Sequence, residues 1–185
     1  MKLFNFPAFL LVCLGSVIPD LLQLLLKYGN RTHLFPYEVR PYLAYASSVP
    51  WAGIVFGIFF SVLCRLAFPA STKIRLDEIA GFTLICPLVQ FMTPMFAMFA
   101  SPFLESLNVA PVLLAQLLYA FFLALLAKGI LGLEALGMLE ILLVAFIGMA
   151  ATAANFIPGL PFYPIQVWYL LVGGAMGFFS ARQMN

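Results

Sequence analysis

Six stretches of the chain stay apolar long enough to cross a hydrocarbon layer: residues 3–26, 49–68, 79–100, 110–127, 135–156 and 163–180. About 20 such residues are needed for a helix to traverse a bilayer core. Polar positions gather between these runs. The longest polar connection, Lys27 to Ser48, mixes Arg31, His33, Glu38 and Arg40 with Tyr28, Tyr37, Tyr42 and Tyr45. Rings and cationic heads both suit the headgroup layer, so this segment reads as interfacial. The 20 phenylalanines are spread along the chain and do not alternate with polar residues as barrel strands require. Helices are then the spanning element, because they satisfy their own peptide groups in lipid. The expectation is an all-α polytopic bundle of six spans forming a single transmembrane domain over residues 1–185.

Composition strengthens this picture. Hydrophobic residues make up 64% of the 185 and charged residues 9%, against roughly 25% charged in a soluble domain. A water-soluble fold of this length could not hide so much apolar surface. The net charge of +2 comes from scattered basic residues, which sets nucleic acid aside as a partner. The expected partners are the lipid bilayer and either other membrane subunits or further copies of the chain. The expected location is a cytoplasmic (inner) membrane. Lys2 followed by the apolar run Phe6 to Ile18 has the outline of a signal peptide. No A-x-A-like site follows, and the run continues through Pro19 and Asp20 into Leu21 to Leu26, so it reads as a retained first span.

Basic residues at the span ends give an orientation. With the N-terminus inside, Lys2, Arg65, Lys73, Arg75, Lys128 and Arg182 fall on the inner side, and Lys27, Arg31 and Arg40 fall outside. Positive charge favours the inner side, so both termini are expected there.

Small residues recur at helical spacing: Gly53, Gly57 and Ser61 in the second span, Gly148 and Thr152 in the fifth, Gly173 and Gly177 in the sixth. Such faces let helix backbones approach closely where lipid removes the hydrophobic drive. They are expected to pack the bundle. The competing use, binding a partner subunit, is best matched by the sixth span.

The third span carries the most unusual pattern, with Pro87, Gln90, Thr93 and Pro94 inside eight residues. Each proline removes a donor and crowds the carbonyl one turn earlier, which kinks or breaks a helix. A broken helix near the midplane is a recurrent design for transport sites, and Pro87, Thr93 and Pro94 mark the region where one would lie. A kinked helix satisfied by its neighbours is the alternative. Pro158, Pro161 and Pro164 ahead of the sixth span are the nearest internal counterpart.

Polar groups within apolar runs are costly and are therefore candidates for function. Asp20 is expected toward the outer end of the first span, Gln116 near the outer end of the fourth, and Glu140 about five residues inside the fifth; with Gln90 they form the candidate polar contacts of a pathway. Met92, Met95 and Met98 recur every three residues, and with Cys13 and Cys86 they suggest a sulfur-lined route for a soft metal. Methionine is equally an ordinary filler of apolar packing. The cysteines Cys13, Cys64 and Cys86 form no CxxC, so neither a disulfide framework nor a zinc site is indicated. With a single histidine, His33, in a connection, bis-histidine haem within the bundle is excluded. The sequence offers no serine, histidine and aspartate set and no phosphate-binding glycine loop. The chain is expected to be non-enzymatic and to carry no cofactor.

In size and helix count the chain resembles the small substrate-binding membrane subunits of energy-coupling vitamin transporters, and also several families of small accessory subunits. The likeness covers the whole chain in outline and rests on no shared motif. Three functions are then in view. The first is a small transporter, or the membrane subunit of one, for a small solute; it predicts a cavity open to one side. The second is a non-catalytic structural or assembly subunit of a larger membrane complex, which predicts a solid bundle. The third is thiol- or thioether-based metal or redox handling.

Overall fold

The computed structural model describes residues 4–31, 51–67, 74–100, 110–157 and 167–182. Among them every regular element is helical. Six α-helices follow in order: α1 (Phe6–Arg31), α2 (Trp51–Ala67), α3 (Leu76–Ala100), α4 (Ala110–Leu131), α5 (Met138–Ala153) and α6 (Trp168–Arg182). One 3-10 turn, Ala154–Phe156, extends α5. Most of the aromatic connection expected at 27–48, Lys2, Lys73 and the trio Pro158, Pro161 and Pro164 lie outside the described residues.

Three helices are long and apolar enough to cross a membrane, along Phe6–Leu25 of α1, Leu76–Thr93 of α3 and the whole of α4. Helices α2 and α5 are shorter apolar helices of 17 and 16 residues, and α6 has 15. At about 1.5 Å per residue the last is only ~22 Å long, short of the ~30 Å hydrocarbon core.

The helices pack in chain order around a ring, each against its sequence neighbours, and α6 closes the ring against α1. Contacts fix the directions. Along α1, Asn5 meets Ala181, Ser16 meets Gly173, and Asp20 meets Tyr169 and Leu170. Numbers rise on one helix as they fall on the other, so α1 and α6 are antiparallel. Gly53 against Pro87 and Gly57 against Thr83 give the same relation for α2 and α3. Between α4 and α5 the chain reverses at Gly132, whose φ of 63° lies in the left-handed region that glycine adopts freely.

Polar and apolar positions are distributed as lipid demands. Ser16, Asp20, Ser61, Thr93, Thr152 and Ser180 are buried, whereas Leu14, Leu84, Phe91, Leu139 and Phe146 are exposed. In water that arrangement would leave the outer surface unsatisfied; in hydrocarbon it is the favourable one. Buried hydroxyls return their protons to carbonyls one turn back. Ser16 donates to Val12 at 2.8 Å, Thr93 to Val89 at 3.0 Å, Thr152 to Gly148 at 3.1 Å and Ser180 to Met176 at 2.9 Å.

The small-residue stripes serve the ring itself. A methyl group on Gly57 would lie 2.6 Å from the Thr83 Cα, one on Gly177 2.7 Å from the Val12 Cγ1, and one on Gly148 2.7 Å from the Ala120 Cβ. The stripe of the sixth helix is thus occupied by α1, and a partner could use it only by displacing that helix. The core between the stripes is aromatic: Phe56 stacks on Phe60 with centroids 4.8 Å apart, and both approach Phe82.

Of the two readings of the third span, a broken helix and a helix satisfied by its neighbours, the described residues form the second. Helix α3 runs without interruption from Leu76 to Ala100, through both Pro87 and Pro94. Two missing donors in 25 residues do not break it, since the remaining ladder and the flanking helices hold its axis.

Candidate functional site

Helix starts decide where polar side chains must sit. The first N–H groups of a helix have no partner within it, and in an apolar layer some other group has to accept them. At one end of the bundle the helices supply this from their own sequence. Glu78 accepts the Arg75 N–H at 2.6 Å, the reciprocal arm of a capping box on α3. Asn5 accepts the Ala8 N–H at 3.1 Å and caps α1. Asp77, Glu78 and Glu140 lie in the first turns of α3 and α5, while Arg65, Lys128 and Arg182 lie in the last turns of α2, α4 and α6. Every one of these charges complements the local helix dipole.

The other end works differently. Helices α2, α4 and α6 start there with no acidic residue in their first turns. Acceptors come instead from neighbouring helices. Asp20, on α1 directly after Pro19, is 2% exposed. Its carboxylate accepts the Tyr169 N–H at 3.1 Å and the Leu170 N–H at 2.7 Å, so it caps α6 across a helix interface. Gln90 on α3 does the same for α2, its Oε1 accepting the Gly53 N–H at 2.9 Å.

Beside these two caps lies a cavity of about 270 Å³ among α1, α3, α4 and α6. It is lined by Gln23, Gln90, Thr93, Ala115, Gln116, Tyr119, Trp168 and Tyr169. Its apolar wall is a fixed aromatic set. Tyr119 and Trp168 stack with centroids 5.0 Å apart and planes within 7°, and Tyr169 stands edge-on to both. The polar tips of these rings are engaged: the two tyrosine hydroxyls hydrogen-bond each other at 2.8 Å, and the Trp168 indole donates to the Gly148 carbonyl at 3.0 Å.

The four candidate polar contacts therefore divide. Gln90 and Gln116 line the cavity, and Asp20 lies at its edge through the backbone of Tyr169. Glu140 is the third residue of α5, in its first turn, at the opposite end of the bundle. A place five residues inside a span is thus replaced by a helix start, where a carboxylate complements the dipole. Of the proline region, Thr93 lines the cavity and Pro87 packs against Gly53. Pro94 lies within α3, and its side chain is outside what the structure describes.

Sulfur is not gathered here. Met92 and Met95 are 46% and 40% exposed, whereas Cys86 is fully buried, so they occupy different faces of α3. Cys64 is buried on α2, and the side chain of Met98 lies outside the described set. Among the described residues no group of three or more His, Cys, Asp or Glu side chains is placed to hold a metal ion.

Sequence reasoning passed over Gln23, Tyr119, Trp168 and Tyr169. The signal for Gln23 was its position three residues after Asp20, which puts the two on one helix face. Gln116 and Tyr119 share the same spacing. Fold and site together define the class of the molecule: an all-α membrane protein with an open, mixed polar and aromatic cavity between its helices. Set beside known proteins, the chain matches no family, no curated protein and no solved structure.

Proposed function

We propose that the chain is a multi-pass protein of a cytoplasmic membrane, with six spans and both termini inside, and that it binds a small solute as a transporter or as the membrane subunit of one. The observation that carries this reading is the cavity of about 270 Å³, lined by three glutamines and an aromatic wall, inside an otherwise apolar bundle. Amides at membrane depth are costly unless they serve a partner. The volume falls just under the ~300 Å³ at which small-molecule pockets begin, which suits a solute of one or two rings. The antiparallel ring supports six crossings, with α2, α5 and α6 as short spans. Arg65, Arg75, Lys128 and Arg182 collect at the end remote from the cavity, which supports an inner assignment for that end and an outward-facing cavity. The role is one of binding and passage, with no reaction assigned.

Purification of the full chain in mild detergent, followed by native mass analysis and thermal unfolding with a panel of small solutes, tests the proposal. Solute-dependent stabilisation of the isolated chain is the expected result. A stoichiometric complex with other membrane subunits and no stabilisation by any solute would overturn it in favour of an assembly subunit.

A further inference from the structure

The hydrogen-bonding groups of the described residues on the cavity wall divide into those already spent and those left over, and the remainder describes a ligand. Gln90 commits its Oε1 to the Gly53 N–H, so what it chiefly offers is its two NH2 donors. Thr93 spends its proton on the Val89 carbonyl, so it offers only an oxygen acceptor. The tyrosine pair shares one hydrogen bond at 2.8 Å, which leaves one hydroxyl proton unspent. The Trp168 N–H is fully used, and the indole presents apolar surface alone. Gln116, half-buried, and Gln23, exposed at the rim, make no hydrogen bond with any described residue, so each offers an acceptor and two donors side by side.

Charge is the second constraint. No Lys, Arg, Asp or Glu is among the described residues that line the cavity. The nearest carboxylate, Asp20, is committed to two backbone N–H groups of α6. Against the described lining an anion meets no cation and a cation meets only Asp20, already committed, so an ionic solute would lose hydration there that hydrogen bonds alone do not recover.

We infer that the cavity, read as the solute site proposed above, takes a neutral planar heterocycle carrying a cis-amide edge, such as a lactam, an imide or a ring carboxamide. A primary amide side chain presents donor and acceptor in the fixed spacing that a cis-amide mirrors, and glutamine reads the edge of a planar base through the same two-point pairing. Glutamines from α1, α3 and α4 converge on the cavity, and Gln23 and Gln116 keep the full pairing edge. Tyr119 and Trp168, stacked within 7°, add aromatic surface against which a flat ring packs well. The volume admits one or two rings.

The test compares matched probes on the purified full chain by thermal stabilisation and calorimetry. Uracil and nicotinamide are the neutral amide probes. Orotate and nicotinate add or substitute a carboxylate on the same rings, N,N-dimethylnicotinamide removes the donor edge, and tyramine supplies a cation. The neutral probes should bind, and each of the other four should bind at least about tenfold more weakly, the factor that one lost hydrogen bond commands. Gln116→Leu should weaken uracil by about the same factor while the helical signal persists. Equal or tighter binding of an anionic or cationic probe would overturn the inference and leave the solute-binding proposal standing. Failure of all six probes, with Gln116→Leu raising thermal stability as a filled void would, would overturn both.

Discussion

Replacing Asp20 by alanine removes both acceptors at the start of α6, and the structure sets the scale of the damage. The carboxylate is 2% exposed and holds two N–H groups at 3.1 and 2.7 Å. Each buried donor left without a partner costs about 1–3 kcal/mol, so Asp20→Ala should destabilise the protein by ~2–6 kcal/mol. Water reaching the helix start through the adjoining cavity would draw the value toward the lower end. Asp20→Asn keeps one acceptor oxygen and turns an amide NH2 toward the second donor, so it should lose about half as much. The readout is reversible unfolding in mixed micelles, followed by far-ultraviolet circular dichroism. Because α6 begins at Trp168, indole fluorescence in a Trp51→Phe background reports the same end of the bundle independently. Both probes should shift together, with alanine worse than asparagine. Against domain stabilities of about 5–15 kcal/mol, such a loss is readily resolved. If Asp20→Ala unfolds within ~0.5 kcal/mol of the parent, the scale of an ordinary surface change, then Asp20 does not cap α6 and its burial needs another cause.

Other substitutions test the remaining contacts. Gly57→Ala places a methyl 2.6 Å from the Thr83 Cα, backbone with little room to yield, and should cost about 1–3 kcal/mol in the same assay. Gly129→Ala meets nothing within 4 Å and should be neutral or stabilising by up to ~1 kcal/mol; equal effects at the two sites would contradict the packing described for α2 and α3. Tyr119→Phe and Tyr169→Phe should each cost about 1 kcal/mol. The double variant should cost less than their sum, with a coupling energy of at least ~0.5 kcal/mol, and strict additivity would mean the hydroxyls do not meet. For the proposed orientation, a fluorescent protein fused at the C-terminus should mature and alkaline phosphatase fused there should be inactive; the reverse pattern would invert the bundle.

Much of the architecture was legible because lipid imposes few solutions. The expected run 110–127 became Ala110–Leu131, and 49–68 became Trp51–Ala67, since the apolar stretch and the helix ladder obey the same length constraint. The first helix overran its expected end at Leu26 and continued to Arg31, because a helix needs no apolar side chain once its carbonyls are satisfied. Small-residue spacing pointed correctly to close packing but not to the neighbour: that Gly173 faces Ser16 follows from ring closure, which depends on contacts distant in sequence. The prolines left a broken and a continuous helix both open, because a proline states which donor is lost and says nothing of what surrounds the helix. Glu140 sits differently on its helix than on its apolar run. Its depth was counted from an apolar boundary at residue 135, whereas α5 starts at Met138, after the turn that follows Gly132. Tyr119, Trp168 and Tyr169 looked like ordinary aromatic filler; only three-dimensional proximity makes them a wall.

The caps and the cavity share a physical origin. On the six-span reading proposed above, α2 and α6 are too short to carry their first turns to water, so their N–H groups need acceptors at depth. Asp20 and Gln90 meet that need from adjacent helices, and polar side chains cannot then be confined to the caps alone. An amide that caps with its oxygen still has an NH2 to place, and Gln90 lines the cavity. A solute that engages that NH2 would hold the Gln90 side chain over the start of α2. Occupancy of the site and seating of α2 are then linked through one side chain, and Gln90→Glu separates the two roles. A carboxylate retains the acceptor for Gly53 and removes the donors, so this variant should keep its helix start while losing about tenfold in affinity for a neutral amide. Loss of both fold and binding, or of neither, would mean that the cap and the site are not joined at this residue.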